Sequence, residues 1–472
     1  MWPFGSKTKE LFFTNSLTGK KELFVPLRRG RALLYSCGPT VYGPVQIGNL
    51  RSFILADLAA RALTQAGYRV QRVMNVTDVG HLVGDGDEGE DKMAVGAKRE
   101  ATTPEAIADR YTKQFLEDIA ALNIETPQIR FPRASEYIAE DIEMIELLSK
   151  KGYTYTTADG VYFDTSKFPS YGELGGLKHA ELQAGARVAV GEKRSPHDFV
   201  LWRAAKQNDL QQWDSPWGKG NPGWSIECSA MATELLGSQI DIHTGGEDLA
   251  AIHHNNEIAQ SECSSGKTPF VKYWLHGAFL NANGEKLSKS LGNSFTLGEL
   301  REKGFHPLSL RYLFLQAHYR SPLSFTLEAL TASQEALTRL WRIATDLGAG
   351  ATKESAASRR LAAALRDDLG TPQALALLWE ALQNHTLSAD EKRGVLTCAE
   401  AVFGLSLLHP PKLSFTLAEL PEDIQTIAKE RESARAAKDY ARSDELRIHL
   451  QNRGYAVEDT ASGPLFTSSE KE

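Results

Sequence analysis

Arg31-Ala-Leu-Leu-Tyr-Ser-Cys37-Gly38-Pro39, then Asn49-Leu-Arg-Ser-Phe-Ile-Leu-Ala-Asp-Leu58, then Tyr68-Arg-Val-Gln-Arg-Val-Met-Asn-Val76: these three pieces decide the fold. The first is a short apolar run closed by the turn formers Gly38 and Pro39, and it reads as a buried strand. The second carries Leu50, Phe53, Ile54, Leu58 and Leu63 at helical spacing, with Gly67 beyond its end. A helix is therefore predicted from about Asn49. The third reads as a strand parallel to the first. Strand, helix, strand is half of a doubly wound nucleotide-binding fold.

Working outward, the texture changes from about Gly152 to Trp224. Short β-rich pieces such as Gly160-Val-Tyr-Phe-Asp164 alternate with turns such as Ser215-Pro-Trp-Gly-Lys-Gly-Asn-Pro-Gly-Trp224, which reads as an insertion. A second half-fold follows: the strand Gln239-Ile-Asp-Ile-His243, a turn at Gly245-Gly246, then a helix through Ile258. From about Thr331 to Leu408 the pattern is helical, interrupted by the small-residue linker Gly348-Ala-Gly-Ala-Thr352. From about Leu420 two charged helices are expected, then Gly454 and a hairpin-like end. The acidic stretch Gly84-Asp-Gly-Asp-Glu-Gly-Glu-Asp91 lacks the spacing of a helix-flanked calcium loop and reads as a solvated acidic loop.

The bulk properties narrow the class. With 472 residues, two to four domains are expected. No apolar run is long enough to span a bilayer, and Met1 to Lys7 lack the regions of a secretory signal, so a cytoplasmic location is expected. Only 4 cysteines occur, at 37, 228, 263 and 398, too scattered for a disulfide framework but open to metal or catalytic roles. A formal net charge of -7 argues against indiscriminate nucleic-acid binding, while leaving room for a basic face against one RNA.

Cys37-Gly-Pro-Thr-Val-Tyr42, Gln46-Ile-Gly-Asn49, Gly223-Trp-Ser-Ile-Glu-Cys-Ser-Ala-Met231, His253-His-Asn-Asn-Glu-Ile-Ala-Gln260 and Lys286-Leu-Ser-Lys-Ser290 stand in one order along the chain. Together they resemble the class I cysteinyl-tRNA synthetases. The resemblance runs on through Asp367-Asp-Leu-Gly-Thr-Pro372, Ala437-Lys-Asp-Tyr440 and Val457-Glu-Asp-Thr460. It implies an α/β fold: a Rossmann-like doubly wound parallel sheet with an inserted subdomain, a helical bundle and a small C-terminal anticodon-binding domain. The implied divisions are 1–151 and 225–330 for the catalytic halves, 152–224 for the insertion, 331–415 for the bundle and 416–472 for the last domain.

The resemblance places zinc on Cys37, Cys228, His253 and Glu257, a ligand set that suits Zn²⁺. His253 and Glu257, four apart on a helix, share a face. The substrate implied is L-cysteine, bound through its thiolate. Serine offers only a hydroxyl, a poor zinc ligand, so the site can reject it without an editing domain. The amino-acid pocket implied comprises Gly38, Thr40, Thr77, Trp224, His243 and Asp248. Ser225 stands where many relatives carry histidine.

ATP, with Mg²⁺, is implied at Gln46, Gly48, Asn49, Gly245, Gly246 and Lys289. Relatives carry His-Ile-Gly-His at the helix start, where backbone amides and imidazoles stabilise the α-phosphate. Here Gln46 and Asn49 replace both histidines, and an amide donates a hydrogen bond but never as a cation. Lys286-Leu-Ser-Lys-Ser290, with Leu for the usual Met, supplies Lys286 and Lys289 to the leaving pyrophosphate. The tail implies tRNA(Cys) as partner, with Tyr440 and Arg442 as candidate contacts. A monomer is expected. Two alternatives stay open: transfer of cysteine to a small amine, and a catalytically impaired paralogue motivated by Gln46.

Overall fold

The computed structural model describes residues 8–80, 92–174, 193–207, 209–282, 285–286, 294–412, 415–460 and 463–468. The acidic stretch 84–91 and the lysine Lys289 fall outside them.

In chain order, a hairpin of β1 (Phe12–Asn15) and β2 (Lys20–Leu23) leads to β3 (Arg31–Ser36), α1 (Ile47–Gln65) and β4 (Arg69–Met74). Helices α2 (Lys92–Glu100) and α3 (Pro104–Ala121), strand β5 (Ile129–Arg130) and helix α4 (Ile138–Lys150) follow. After a small antiparallel sheet, α5 (Trp224–Leu236), β10 (Ile240–Gly246), α6 (Glu247–Ala250), α7 (His253–Ser265) and β11 (Val271–Gly277) complete the catalytic core.

The five strands form a parallel sheet in the order β11-β10-β3-β4-β5. The chain runs from β3 towards one edge and, in the second half, from β10 towards the other. The topological switch point therefore lies between β3 and β10, where open α/β sheets place their ligands. Alternation along β3 serves both layers: Ala32 and Leu34 pack with α1, while Leu33 and Tyr35 pack with α4, α5 and α7. Helix α1 is buried on nearly every side, and it begins at Ile47, two residues before the sequence suggested. Gly245 and Gly246, expected in a turn, instead continue β10, pairing with His276 and Gly277 of β11. Their missing side chains are used for close approach: a Cβ on Gly245 would lie 2.7 Å from the His254 ring.

The inserted sheet has the order β6-β7-β8-β9, all antiparallel: Thr154–Thr156, Gly160–Phe163, Phe199–Ala204 and Gly220–Pro222. Past β11, the strands β12 (Leu280–Ala282) and β13 (Glu285–Lys286) pair as a hairpin, and β12 also pairs with β14 (Leu323–Ser324). Helices α8 (Leu297–Glu302), α9 (Pro307–Leu315), α10 (Leu327–Leu347), α11 (Ala356–Arg366), α12 (Thr371–Gln383) and α13 (Ala389–Phe403) share one hydrophobic core with α1. At the joint, buried Asp57 of α1 accepts from Arg61, Arg72 and, at 2.7 Å, Arg311 of α9.

The last unit has a separate core of Leu420, Ile424, Ala428, Leu450, Val457 and Phe466. It comprises α14 (Glu422–Ala436), α15 (Tyr440–Asn452) and the hairpin β15 (Tyr455–Thr460) and β16 (Gly463–Ser468). Buried Arg431 clamps Asp459 with both terminal nitrogens, at 3.0 and 2.8 Å.

Candidate functional site

Cys37 is the first residue past β3, and its N–H donates to the carbonyl of Thr244 on β10 (3.2 Å). Its sulfur thereby sits at the switch point. Cys228 comes from the second turn of α5, and His253 and Glu257 from the first two turns of α7. The potential ligand atoms of these four residues all lie within 4.8 Å of one another, and only Cys37 is appreciably open to solvent.

The cluster is electrostatically tense. Burial pushes the Cys37 thiol up, and the neighbouring Cys228 reinforces it. The hydrogen bond with Cys37, with His253 close by, draws the Cys228 thiol down to about 6 against the effect of burial. Burial works against charge on His253 as well, but Cys228 and Glu257 raise it to about 10. On Glu257 burial is again outweighed, here by His243 and His253, which bring it to about 2. Two sulfurs and a carboxylate thus share a dry site with one cationic imidazole, and a divalent cation would balance them. Two sulfurs, one nitrogen and one oxygen fit Zn²⁺, whereas Mg²⁺ and Ca²⁺ favour all-oxygen sets.

A second group, Cys37, His243, His254 and Glu257, is equally compact. His243 separates the two, because its Nε2 is taken up by Glu257 Oε2 at 2.9 Å, while His254 turns Nε2 to Cys37 Sγ (3.4 Å) and holds Nδ1 on His276 (2.7 Å). In the first set His253 and Glu257 each keep one atom for a metal and have the other held from behind, as metal ligands do. His253 Nδ1 meets Ser225 Oγ at 3.1 Å, and Glu257 Oε2 meets His243. The first set is the better metal centre.

The other residues singled out in the sequence are distributed around it. Gly38 follows Cys37 so tightly that a Cβ there would fall 1.7 Å from the carbonyl oxygen of Asn75, and its N–H donates to Asn75 Oδ1 (2.9 Å). Thr40 and Thr77 face each other across an isolated parallel bridge at the ends of β3 and β4. Trp224 packs 4.4 Å from His253, ring centre to ring centre. His243 is fully buried against Trp274 and reaches the cluster through Glu257. Asp248 is exposed on α6, one turn beyond Gly245 and Gly246 at the end of β10.

Gln46 caps α1 in extended conformation without a side-chain capping bond, so the helix N-terminus opens past Gly48, whose α-carbon faces empty space. Asn49 is exposed on the first turn. Gln46 Nε2 donates to the carbonyl of Pro44 (3.3 Å), and its Oε1 accepts from Ser294 Oγ (2.6 Å). The backbone repeats the link: Ile47 N–H donates to Phe295, and Gln46 bridges Thr296. The helix start is thus tied to the chain just past the Lys286–Ser290 signature. Lys286 ends β13. Tyr440 and Arg442, on the first turn of α15, are both exposed.

Sequence reasoning passed over Arg51. Its guanidinium donates to the carbonyls of Ala278, Phe279, His318 and Ser321 at 2.7–3.3 Å, fixing α1 to the root of the β12–β13 hairpin. It also passed over His254, His276, Asn256 and Tyr171 around the cluster. One signal was present: His253-His-Asn-Asn-Glu257 puts polar residues on successive faces of one helix, and all five are buried.

Residues 23–335 match the family tRNA synthetases class I (C) catalytic domain, and residues 417–463 match the Cysteinyl-tRNA ligase anticodon binding domain. The chain is 46% identical to cysteine–tRNA ligase 1 of Burkholderia lata over 93% of each chain. It is 41% identical to the cysteine–tRNA ligase of Chlorobaculum tepidum over 97% of this chain and 99% of the other, and 40% identical to that of Thermus thermophilus over the same shares. Among solved structures, methionyl-tRNA synthetase of Mycobacterium tuberculosis in complex with methionyl-adenylate gives a TM-score of 0.53 at 16% identity, covering 80% of this chain and 91% of that one, a likeness of fold. With the sheet, the ligand cluster and these matches together, the chain belongs to the cysteinyl-tRNA synthetase family of class I aminoacyl-tRNA synthetases.

Proposed function

We propose that the chain is a cysteine–tRNA ligase: it joins L-cysteine to AMP from ATP, releasing pyrophosphate, and then esterifies cysteine to the 3′ end of tRNA(Cys). The observation that carries this reading is the convergence of Cys37, Cys228, His253 and Glu257 at the switch point of the sheet. These four residues would hold Zn²⁺, which would supply a centre with higher affinity for a thiolate than for the hydroxyl of serine.

The chain's own residues do the rest. Gly38, whose missing side chain lets the chain after Cys37 close on Asn75, and Trp224 beside His253 border the small substrate. Thr40, Thr77, His243 and Asp248 complete the amino-acid pocket. The N-terminus of α1, with Gln46, Gly48 and Asn49, faces the phosphates of ATP, where oriented N–H groups favour an anion. Gly245 and Gly246 keep the end of β10 flat for the nucleotide, and Lys286 and Lys289 offset charge on the leaving pyrophosphate. The C-terminal unit, residues 416–472, reads the anticodon with Tyr440 and Arg442 exposed for it. Residues 152–224 form the insertion, 331–415 the bundle, and 1–151 with 225–330 the catalytic domain. The enzyme works as a cytoplasmic monomer with Mg²⁺. Among the described residues no helix is long and apolar enough to cross a membrane.

The test is cysteine-dependent ATP–pyrophosphate exchange by the zinc-loaded protein, followed by charging of tRNA(Cys). Failure of both overturns the reading. Removing residues beyond 416 should abolish charging and leave exchange in place; unchanged product formation on a small amine would redirect the second step.

A further inference from the structure

Behind His253 runs a line of buried hydrogen bonds that ends in the inserted region. Tyr171 OH donates to Asn256 Oδ1 at 2.7 Å, Asn256 Nδ2 donates to Ser225 Oγ at 3.2 Å, and Ser225 Oγ lies 3.1 Å from His253 Nδ1. All four residues are buried: Tyr171 at 7%, Asn256 and Ser225 at 5%, His253 at 3% exposure. The line draws on three separate stretches of chain. Tyr171 precedes β8, Ser225 is on the first turn of α5, and Asn256 and His253 share the start of α7. Tyr171 is itself stacked on Phe199 of β8, 5.9 Å between ring centres.

We infer that Ser225 is a positioning residue that sets which nitrogen His253 offers to the metal. The inference rests on the zinc reading of the cluster. Nε2 of His253 points at the ligand group, 3.1 Å from Glu257 Oε1. To bind a cation it must present a lone pair, so the ring's one proton must sit on Nδ1. That proton needs an acceptor. Ser225 Oγ is the atom in reach, and Asn256 turns one lone pair of it away by donating into it. Outer partners of this kind fix ring orientation and tautomer.

The experiment measures Zn²⁺ affinity of the full chain by competition with a chelator, alongside the melting temperature of the metal-free protein. Ser225→Ala should weaken Zn²⁺ binding about 10–100-fold, the usual loss when a ligand's outer partner is removed. Ser225→Thr keeps the acceptor oxygen and should stay within about threefold of the unmodified chain, and Tyr171→Phe should give an intermediate loss. The ¹⁵N shifts of His253 should report Nδ1–H in the zinc-loaded protein. Equal Zn²⁺ affinity in Ser225→Ala, equal losses in the Ala and Thr variants, or a proton found on Nε2 would each overturn the assignment. Failure of the unmodified chain to bind Zn²⁺ is a distinct result, which would overturn the metal centre itself.

Discussion

Asp57→Asn should destabilise the protein by about 3–5 kcal/mol, the range found when one partner of a buried ion pair is removed. The upper end is expected, because one carboxylate serves three guanidinium groups. Its Oδ2 accepts from Arg61 Nε and Arg311 Nη2, both at 2.7 Å, and its Oδ1 from Arg72 Nη1 at 3.2 Å. Asp57 and Arg311 are fully buried, and Arg72 nearly so. Burial alone would raise the Asp57 carboxyl, yet the three arginines hold it well below the usual range. Against a typical total of about 5–15 kcal/mol, the loss is a large fraction.

The assay is calorimetric melting of Asp57→Asn, Arg311→Met and the double variant. Removing both partners leaves no lone charge from that pair, so the double variant should lose much less than the sum of the singles. The acid limb has a defined sign. A folded-state carboxyl held low contributes stability that is complete above the unfolded value near pH 4 and is lost below it, so Asp57→Asn should flatten that limb. Activity gives the control. Asp57 lies 11 residues along α1 from Gln46, about 16 Å at 1.5 Å per residue, so exchange at a permissive temperature should hold. A loss under about 1 kcal/mol, or additive singles, would refute the claim that this carboxylate ties the bundle to the sheet.

Arg51→Ala should free four carbonyls and loosen the β12–β13 root, lowering pyrophosphate exchange by about 10²-fold with Zn²⁺ content unchanged, as metal analysis of the assayed samples would check. Gln46→Ala should lower exchange by about 10²–10³ if the amide stands in for a signature imidazole, and an unchanged rate would show that the backbone amides suffice. His306, at the N-cap of α9, is depressed to about 4, first by burial and then by Arg301, and its Nδ1 accepts from Leu308 N–H. The unfolded state takes its proton at higher pH. Stability should therefore fall by up to about 1.4 kcal/mol per pH unit from pH 6.5 down to 4, a slope that urea titrations of His306→Asn should find removed.

The sheet was legible because β3 carries the buried run Ala32–Ser36, β4 ends in buried Val73 and Met74, and an apolar helix lies between them, a combination with few other ways to bury itself. The Gly245-Gly246 pair was misread for a physical reason. Adjacent glycines suggest a turn when only φ freedom is considered, but here Gly245 serves close approach to His254 and Gly246 to Asp248 while the strand continues. The candidate metal cluster Cys37, Cys228, His253 and Glu257 was visible as residue types. Its outer partners were not, since Ser225, Asn256 and Tyr171 are ordinary until three segments bring them into line. Arg51 was hidden because a cation on an apolar helix reads as solvent-exposed, and its four acceptors are carbonyls that leave no trace in a sequence.

Gln46 shows what geometry adds to a departure from a family pattern. As a letter it subtracts a chargeable group from the start of α1, the proposed nucleotide end of the site. In the fold its amide spans two parts of that end: Oε1 takes the Ser294 hydroxyl while Nε2 faces Pro44. A protonated imidazole there would be a cationic donor, and Ser294 Oγ could accept from it. Charge and tie therefore need separate variants: Gln46→His restores a chargeable donor, and Ser294→Ala removes the side-chain tie while keeping the amide. A raised exchange rate in Gln46→His would make charge the limiting property, and a lowered one in Ser294→Ala would make it the tie.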